Sequence, residues 1–541
     1  MPEIPTAELA PLLRVAQAGR LLTAAGLVAP VRPDRLLRMG LALAHWGLTP
    51  AAAYAAAAAR CPDRVAIVDD RGSLTFAEVH RRSNAVAHGL AGLGIRSGDA
   101  VAILARNSAQ LVLAQVAAAK LGADVVYLNT GFGAPQLAAV LREEHVALVI
   151  ADEEFHDLVG EAAPARPLVH AWRDGGRRPD APLGLDDLAR GDDSDPPPPR
   201  RTGRHVLLTS GTTGTPKGAA RDLPASAAAL EPLVALLSAI PLRARETTVV
   251  ASPMFHAWGF AHLAFGQLLE STLVTSRRFD PERTLALVEE HRAEVLAAVP
   301  VMLARMLALP PEQRHDLSSL RVVALSGSAL LVELGRRWIE TYGANLYDLY
   351  GSTEVAYASV ATPQDMREAP GSVGRPLAGV QVRIVDDGGR DVPPGETGRI
   401  FVGNALSFSG YTGGTDKQRL DGLVASGDVG RIDADGRLWI EGRDDDMIVS
   451  GGENVFPGEV EELLRTHPAV ADVAVVGVPD EEFGQRLVAH VVRRDDVTVD
   501  ALRAHVKASL ANYKVPREVR FLDELPRNET GKVLKRVLRE S

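Results

Sequence analysis

From residue 51 onward the chain alternates short apolar runs with longer stretches whose apolar positions recur at helical spacing. Residues 51–60 are nearly all alanine and predict a helix. Residues 65–70 and 73–75 predict a hairpin around Asp70-Arg71-Gly72. Thr75-Phe76-Ala77-Glu78 carries the capping-box pattern, a threonine with a glutamate three residues on, and opens a helix to about Leu93. Strands follow at 99–105, 124–128 and 147–151, with helices at 110–121 and 134–144 between them. Further on, helices are predicted near 225–238, 259–269, 281–291 and 331–342, and strands at 247–252, 295–299, 320–325 and 345–350. This alternation predicts an α/β fold of doubly wound, largely parallel sheets.

The texture changes near Gly379. Strands at 380–385, 399–402, 429–432 and 438–441 are separated by Asp/Gly turns, as in a small β-rich subdomain. After Gly442 come a helix at 458–466, strands at 470–478 and 487–492, a helix at 500–510 and a strand at 517–521. The expected organisation is an apolar helical extension (1–50), a large domain (51–441), a hinge (442–446) and a small mobile α+β domain (447–541). Residues 191–204, GDDSDPPPPRRTGR, are charged and proline-rich and predict a solvated connector.

A length of 541 residues exceeds a single core and supports more than one domain. The net charge of −10 argues against a nucleic-acid surface but leaves room for a local basic pocket. Cys61 is the only cysteine, so no intrachain disulfide forms and a reducing cytoplasm is the simplest setting. No apolar run reaches the ~18 residues that span a bilayer. The N-terminus lacks a basic start with a long apolar core, so no signal peptide is expected. Residues 9–46 mix apolar runs with spaced arginines. They read either as helices packed on the main body or as an amphipathic surface in peripheral contact with membrane or lipid substrate.

The densest chemistry follows Val206-Leu207-Leu208. Thr209, Ser210, Gly211, Thr212, Thr213, Gly214, Thr215, Pro216, Lys217 and Gly218 offer glycines for a tight path, hydroxyl donors and one positive charge. Backbone N–H groups on such a path converge on one anion. The loop is built to hold phosphate, yet it is no ordinary P-loop, since Lys217 is followed by Gly218 rather than Ser or Thr. SGTTGTPKG resembles the phosphate loop of the adenylate-forming superfamily of acyl-CoA synthetases, peptide-synthetase adenylation domains and luciferases. Five further stretches occur in that superfamily's order and extend the resemblance over residues 50–541.

The first is MFHAWGF, residues 254–260, which resembles the wall of the acyl pocket, with His256 as the gate towards a thiol tunnel. It lacks the aspartate that pairs an α-amine, and an unpaired ammonium in an apolar pocket is costly, so acids without an α-amine are favoured. The second is YDLYGSTEV, residues 347–355. Magnesium takes one or two carboxylates plus nucleotide phosphates. The resemblance gives Glu354 that role, Thr353 a phosphate oxygen and Tyr350 the adenine face, with Gly351 and Ser352 in the loop. Ser328 falls where the superfamily has an adenine-contacting loop. In the third, ASGDVG, Asp428 matches the ribose-binding aspartate, although Leu423 and Val424 replace the commoner aromatic approach. The fourth, GRDDDMIVSGGENVFPGE, holds Arg443 for a phosphate or ribose oxygen and Asp445 as hinge pivot; Gly451, Gly452 and Glu453 fall on the pantetheine tunnel. In the fifth, PRNETGKVLKR, Lys532 matches the catalytic lysine.

The resemblance is strongest to the acyl-CoA synthetase, or fatty-acid–CoA ligase, branch. It implies that ATP and a medium- or long-chain fatty or related acid give an acyl adenylate and pyrophosphate, after which coenzyme A displaces AMP. Lys217, Mg2+ on Glu354 and Lys532 supply positive charge where two anions meet. Three other readings stand beside it: loading an acyl carrier protein, a luciferase-like monooxygenase, and a nucleotide-binding module without catalysis. The last is opposed by the presence of Lys217, Glu354, Asp428 and Lys532 together. The residues fix neither the acid's chain length nor whether the protein is a homodimer.

Overall fold

The computed structural model describes residues 18–175, 182–209, 217–221, 231–414, 416–444, 446–450, 453–480, 484–528 and 531–540. Two large sheets dominate. The first has the strand order Gly410–Tyr411, Lys217–Arg221, His205–Thr209, Asp124–Tyr127, Ala100–Leu104, Val146–Ala151 and Leu168–His170. Its inner strands pair in parallel, and Lys217–Arg221 returns antiparallel, with Thr209 opposite Lys217. The second runs Arg375–Pro376, Ser359–Ala361, Leu346–Tyr350, Val322–Ser326, Val295–Ala298, Thr247–Val250, Thr272–Val274, Val65–Asp69 and Gly72–Thr75. The inner strands read as unbroken apolar runs because both faces are covered.

Helix Ala109–Leu121 touches strands of both sheets and is buried at nearly every position, so its apolar residues lie all round it rather than on one stripe. Ser108 caps its first turn by accepting from Leu111 N at 3.3 Å, and Gly122 ends it at φ 69°. The capping box read at Thr75 is present: Glu78 N donates to Thr75 Oγ1 at 3.2 Å, Thr75 N donates to Glu78 Oε2 at 2.8 Å, and the helix runs Phe76–Gly92.

The third sheet is the β-rich subdomain: Gln381–Val385, Gly398–Gly403, Leu423–Ile432, Arg419–Leu420 and Leu438–Arg443. The small domain has its own sheet of Glu453–Val455, Ile448–Ser450, Gly484–Arg493, Val470–Asp480 and Glu518–Leu522, with helices Pro457–Arg465 and Val499–Ser509 closing its core.

Some expectations need correction. The helix expected at 259–269 spans Ala257–Leu268, because the turn Pro253–His256 already delivers the first N–H. Of the helix expected at 225–238, residues 225–230 lie outside the described residues; the described part is Glu231–Ala239. The connector 191–204 is not simply solvated. Asn84 Nδ2 donates to the Asp193 carbonyl at 2.9 Å and to Asp195 Oδ1 at 3.0 Å, and Pro196 is buried with its carbonyl 2.9 Å from His45 Nε2. Arg201 and Arg204 grip the buried Asp124.

Helix Pro33–Trp46 settles on the body through Trp46 and through Arg35, which donates to the Arg60 carbonyl at 2.6 Å. Its outer face leaves Leu36, Leu37 and Leu41 about 60 % exposed.

Candidate active site

All three sheets of the large domain deliver residues to one place. Strand Leu346–Tyr350 ends at Tyr350, whose hydroxyl donates to Asp428 Oδ2 at 2.6 Å. Asp428 lies on strand Leu423–Ile432 in register with Arg443, whose guanidinium reaches Asp428 Oδ1 at 3.3 Å. The Asp428 amide donates to Ser426 Oγ at 3.0 Å, which fixes the aspartate's own backbone. Burial and the neighbouring Asp428 carboxylate push the Tyr350 phenol well above its ordinary value, so it stays a donor.

Beyond Tyr350 the backbone folds back so closely that a Cβ on Gly351 would lie 2.2 Å from the Ala356 carbonyl. Only glycine fits. The turn aims Glu354 at Tyr411, whose hydroxyl donates to Glu354 Oε1 at 2.7 Å, while Ser352 Oγ donates to Oε2 at 3.0 Å. Burial opposes the charge on Glu354, but Lys417 and these two hydroxyls outweigh it and hold the carboxyl below the usual glutamate range. The Lys217 ammonium sits 5.2 Å from the centre of the Tyr411 ring. Lys217 is the first residue of a strand rather than part of the loop, and a Cβ on its neighbour Gly218 would fall 2.8 Å from Val206 Cγ1. Thr209 ends the preceding strand; Ser210, Gly211, Thr212, Thr213 and Gly214 lie outside the described residues.

Ser328 is exposed just past strand Val322–Ser326, whose Ser326 hydroxyl donates to the Leu349 carbonyl at 2.8 Å, so it emerges beside Tyr350. The MFHAWGF segment is pinned at both ends. Met254 N donates to Asn107 Oδ1 at 2.7 Å, and Trp258 Nε1 donates to the Ala324 carbonyl at 3.2 Å. His256 precedes the helix, packs on Phe255 with ring centres 4.5 Å apart, and its Nε2 has no hydrogen-bond partner among the described residues. Burial pushes its pKa down to about 4, so the ring is neutral at pH 7.

The small domain brings Lys532 to the large one. A Cβ on Gly531 would lie 2.4 Å from Val301 Cγ1, on helix Pro300–Leu307. The loop is closed by Lys532 N donating to Asn528 Oδ1 at 2.8 Å and by Asn528 N donating to the Lys532 carbonyl at 2.9 Å. Glu453 begins a strand paired with Ser450; Asp445, Gly451 and Gly452 lie outside the described residues.

The comparisons with known proteins agree with this geometry. A model of the AMP-binding enzyme family matches residues 54–412, and one of the AMP-binding enzyme C-terminal domain matches residues 459–532. The chain belongs to the AMP-binding enzyme family. This AMP-binding enzyme is 34% identical over 487 residues to a feruloyl-CoA synthase of an Amycolatopsis species, covering 88% of this chain and 95% of the relative. It is 32% identical over 487 residues to the long-chain-fatty-acid–CoA ligase FadD13 of Mycobacterium tuberculosis, covering 86% and 93%. The ATP-bound structure of MatB from Rhodopseudomonas palustris superposes with a TM-score of 0.80 at 29% identity, covering 91% and 99%. The AMP-binding enzyme is an adenylate-forming enzyme of the acid–thiol ligase kind. No helix among the described residues is long and apolar enough to cross a membrane.

The sequence reading missed Tyr411 and Lys417. Both act on Glu354 from strands or turns distant in sequence, and the only local signal was a tyrosine set among glycines in SGYTGG. A divalent cation fits Glu354 in one way only. No group of three His, Cys, Asp or Glu side chains forms a cage among the described residues. The ionised Glu354 would hold the ion together with nucleotide phosphates, where it would neutralise charge on those oxygens.

Proposed function

We propose that this enzyme activates a hydrophobic aliphatic acid of medium or long chain with ATP and transfers the acyl group to coenzyme A. The observation that carries the reading is that Tyr411 gathers Lys217 and Glu354 while Tyr350, four residues before Glu354, holds Asp428. In the first step a carboxylate oxygen attacks the α-phosphorus and the bond to pyrophosphate breaks. Tyr350 offers its ring to adenine. Asp428, steadied by Tyr350 and Arg443, accepts from the ribose hydroxyls. Lys217 and Lys532 hold the anionic oxygens. In the second step the thiol sulfur, losing its proton, attacks the carbonyl and AMP leaves. His256, neutral and half-buried, borders the acid. The pivot at Asp445 and the tunnel residues Gly451, Gly452 and Glu453 remain part of the proposal, as does Mg2+ on Glu354.

An aryl acid is the second reading, supported by the 34% identity to a feruloyl-CoA synthase. Pyrophosphate release across aliphatic acids of graded length and a set of aryl acids, with coenzyme A or a phosphopantetheinylated carrier protein as acceptor, decides between them. A preference for aryl acids, or for the carrier protein, overturns the first reading; release with no acid overturns both. We place the enzyme in the cytoplasm with peripheral membrane contact, the contact supported by the exposed leucines of helix Pro33–Trp46. Sedimentation with anionic vesicles tests this, and a Leu37→Glu, Leu41→Glu variant that sediments as wild type refutes it.

A further inference from the structure

Of the 59 lysine and arginine residues, only seven are lysine: Lys120, Lys217, Lys417, Lys507, Lys514, Lys532 and Lys535. A chain that meets nearly every need for positive charge with arginine keeps lysine where a compact ammonium does what a planar fork cannot. Within residues 51–441 there are three. Lys120 is buried under the connector, donating to Ser83 Oγ at 2.7 Å and to the His80 carbonyl at 2.8 Å, and its role is structural. Lys217 faces the Tyr411 ring. The third, Lys417, belongs to none of the motifs read from the sequence.

Its ammonium donates to the Ser426 carbonyl at 3.2 Å. A Cβ on Gly427 would lie 3.2 Å from both Lys417 Nζ and an Arg443 nitrogen, so the two cations flank the backbone immediately before Asp428. Its charge also favours the ionised form of Glu354. The ammonium thus stands at the backbone that leads into Asp428, the carboxylate suited to the ribose, which Tyr350 joins to the turn carrying Glu354, the carboxylate suited to the metal and phosphates. In a nucleotide, what lies between phosphate-bound metal and ribose is the phosphate chain itself. Gly427, at φ 83°, puts no side chain against the ammonium, where a Cβ would lie 3.2 Å away.

We infer that Lys417 is a phosphate-contact residue for the nucleoside triphosphate, a further cation beside Lys217 that acts in the adenylation step. The inference rests on the proposed function, because it needs a nucleotide laid from Glu354 to Asp428. Its chemistry is charge recognition only; no bond forms at Lys417.

Calorimetric titration of the full chain with α,β-methylene-ATP and, separately, with adenosine tests it. Lys417→Gln keeps a donor for the Ser426 carbonyl but not the charge; Lys417→Arg keeps the charge. For Lys417→Gln the triphosphate affinity is expected to fall at least about tenfold while adenosine affinity stays within twofold, the scale of a lost charge-assisted contact. Lys417→Arg recovers part of the difference. An equal fall for both ligands, or no fall for either, overturns the inference and leaves Lys417 a structural partner of Glu354 and Ser426. Should Lys417→Gln fail to fold, Lys417→Met is titrated with the same two ligands: an equal fall for both, or no fall for either, then overturns the inference. A wild-type protein that binds neither ligand overturns the proposed function itself, and this inference with it.

Discussion

Replacing Tyr350 with phenylalanine removes one hydroxyl and keeps the ring. That hydroxyl donates to Asp428 Oδ2 at 2.6 Å, and the other oxygen is held by Arg443 at 3.3 Å. Asp428 is only 9% exposed, so water replaces the lost donor poorly. A hydrogen bond to a charged group contributes about 1.5–3 kcal/mol. At ~1.4 kcal/mol per factor of ten, that corresponds to roughly 10- to 150-fold if the whole bond serves to orient the carboxylate. We therefore expect Tyr350→Phe to raise the KM for ATP in pyrophosphate exchange by about tenfold or more. The KM for the acid should change little, since the adenine-facing ring is intact. The phenol remains protonated well beyond its ordinary range, so the effect should be level from neutral to mildly alkaline pH. Calorimetry with AMP gives the same difference without turnover. A KM for ATP within twofold of wild type, or an equal rise in the KM for the acid, would refute the view that Tyr350 works by aiming Asp428.

Lys532→Ala should abolish pyrophosphate exchange yet largely spare thioester formation from pre-made acyl adenylate; equal loss in both half-reactions contradicts its role in the first step alone. Gly351→Ala must push the Ala356 carbonyl aside, since its Cβ would start 2.2 Å away, and should cost about 1–3 kcal/mol in denaturant unfolding together with most of the activity; a neutral substitution would show that the turn yields freely. Tyr411→Phe removes a group that lowers the Glu354 pKa, so the acidic limb of the pyrophosphate-exchange profile should move to higher pH, and an unmoved limb refutes the coupling. Burial holds His262 near pKa 3, below its unfolded value of 6.5. The unfolded state then binds the proton first, and its contribution to stability is lost as pH falls from 6.5 towards 3. His262→Gln should show a shallower fall in melting temperature over that range; identical curves count against it.

What was legible in the sequence was what is encoded locally. The Thr75–Glu78 box and the apolar inner strands each act within a few residues and were read from the residues themselves, whereas the stretches around Lys217 and Tyr350 were read through their resemblance to the adenylate-forming superfamily, and residues 210–216 lie outside the described residues. Pairings between distant strands were not. Tyr411 meets Glu354 only because Gly410–Tyr411 adds to the edge of Lys217–Arg221, with Tyr411 opposite Ala219. Lys217 belongs to a strand because it lies opposite Thr209 across a hairpin, although its neighbours look like loop. The connector misled because prolines and aspartates signal solvent, while its anchors, Asn84 and His45, lie more than a hundred residues upstream.

The joint between the two domains is short. On the large-domain side, Asp444 N donates to the Gly427 carbonyl at 3.0 Å, which ties that residue to the sheet carrying Asp428. On the other side, Asp446 pairs with Arg539 at 2.6 Å and lies 4.0 Å from Lys535, which binds it to the last helix of the chain. Between these anchored residues lies a single position, 445. If the proposed pivot at Asp445 turns, a chain joined this way would act as a swivel pin rather than a tether: the small domain would change heading but hardly drift away. Under that proposal the path of Lys532 would be close to an arc about a fixed centre, whose distance from the nucleotide site would stay nearly constant.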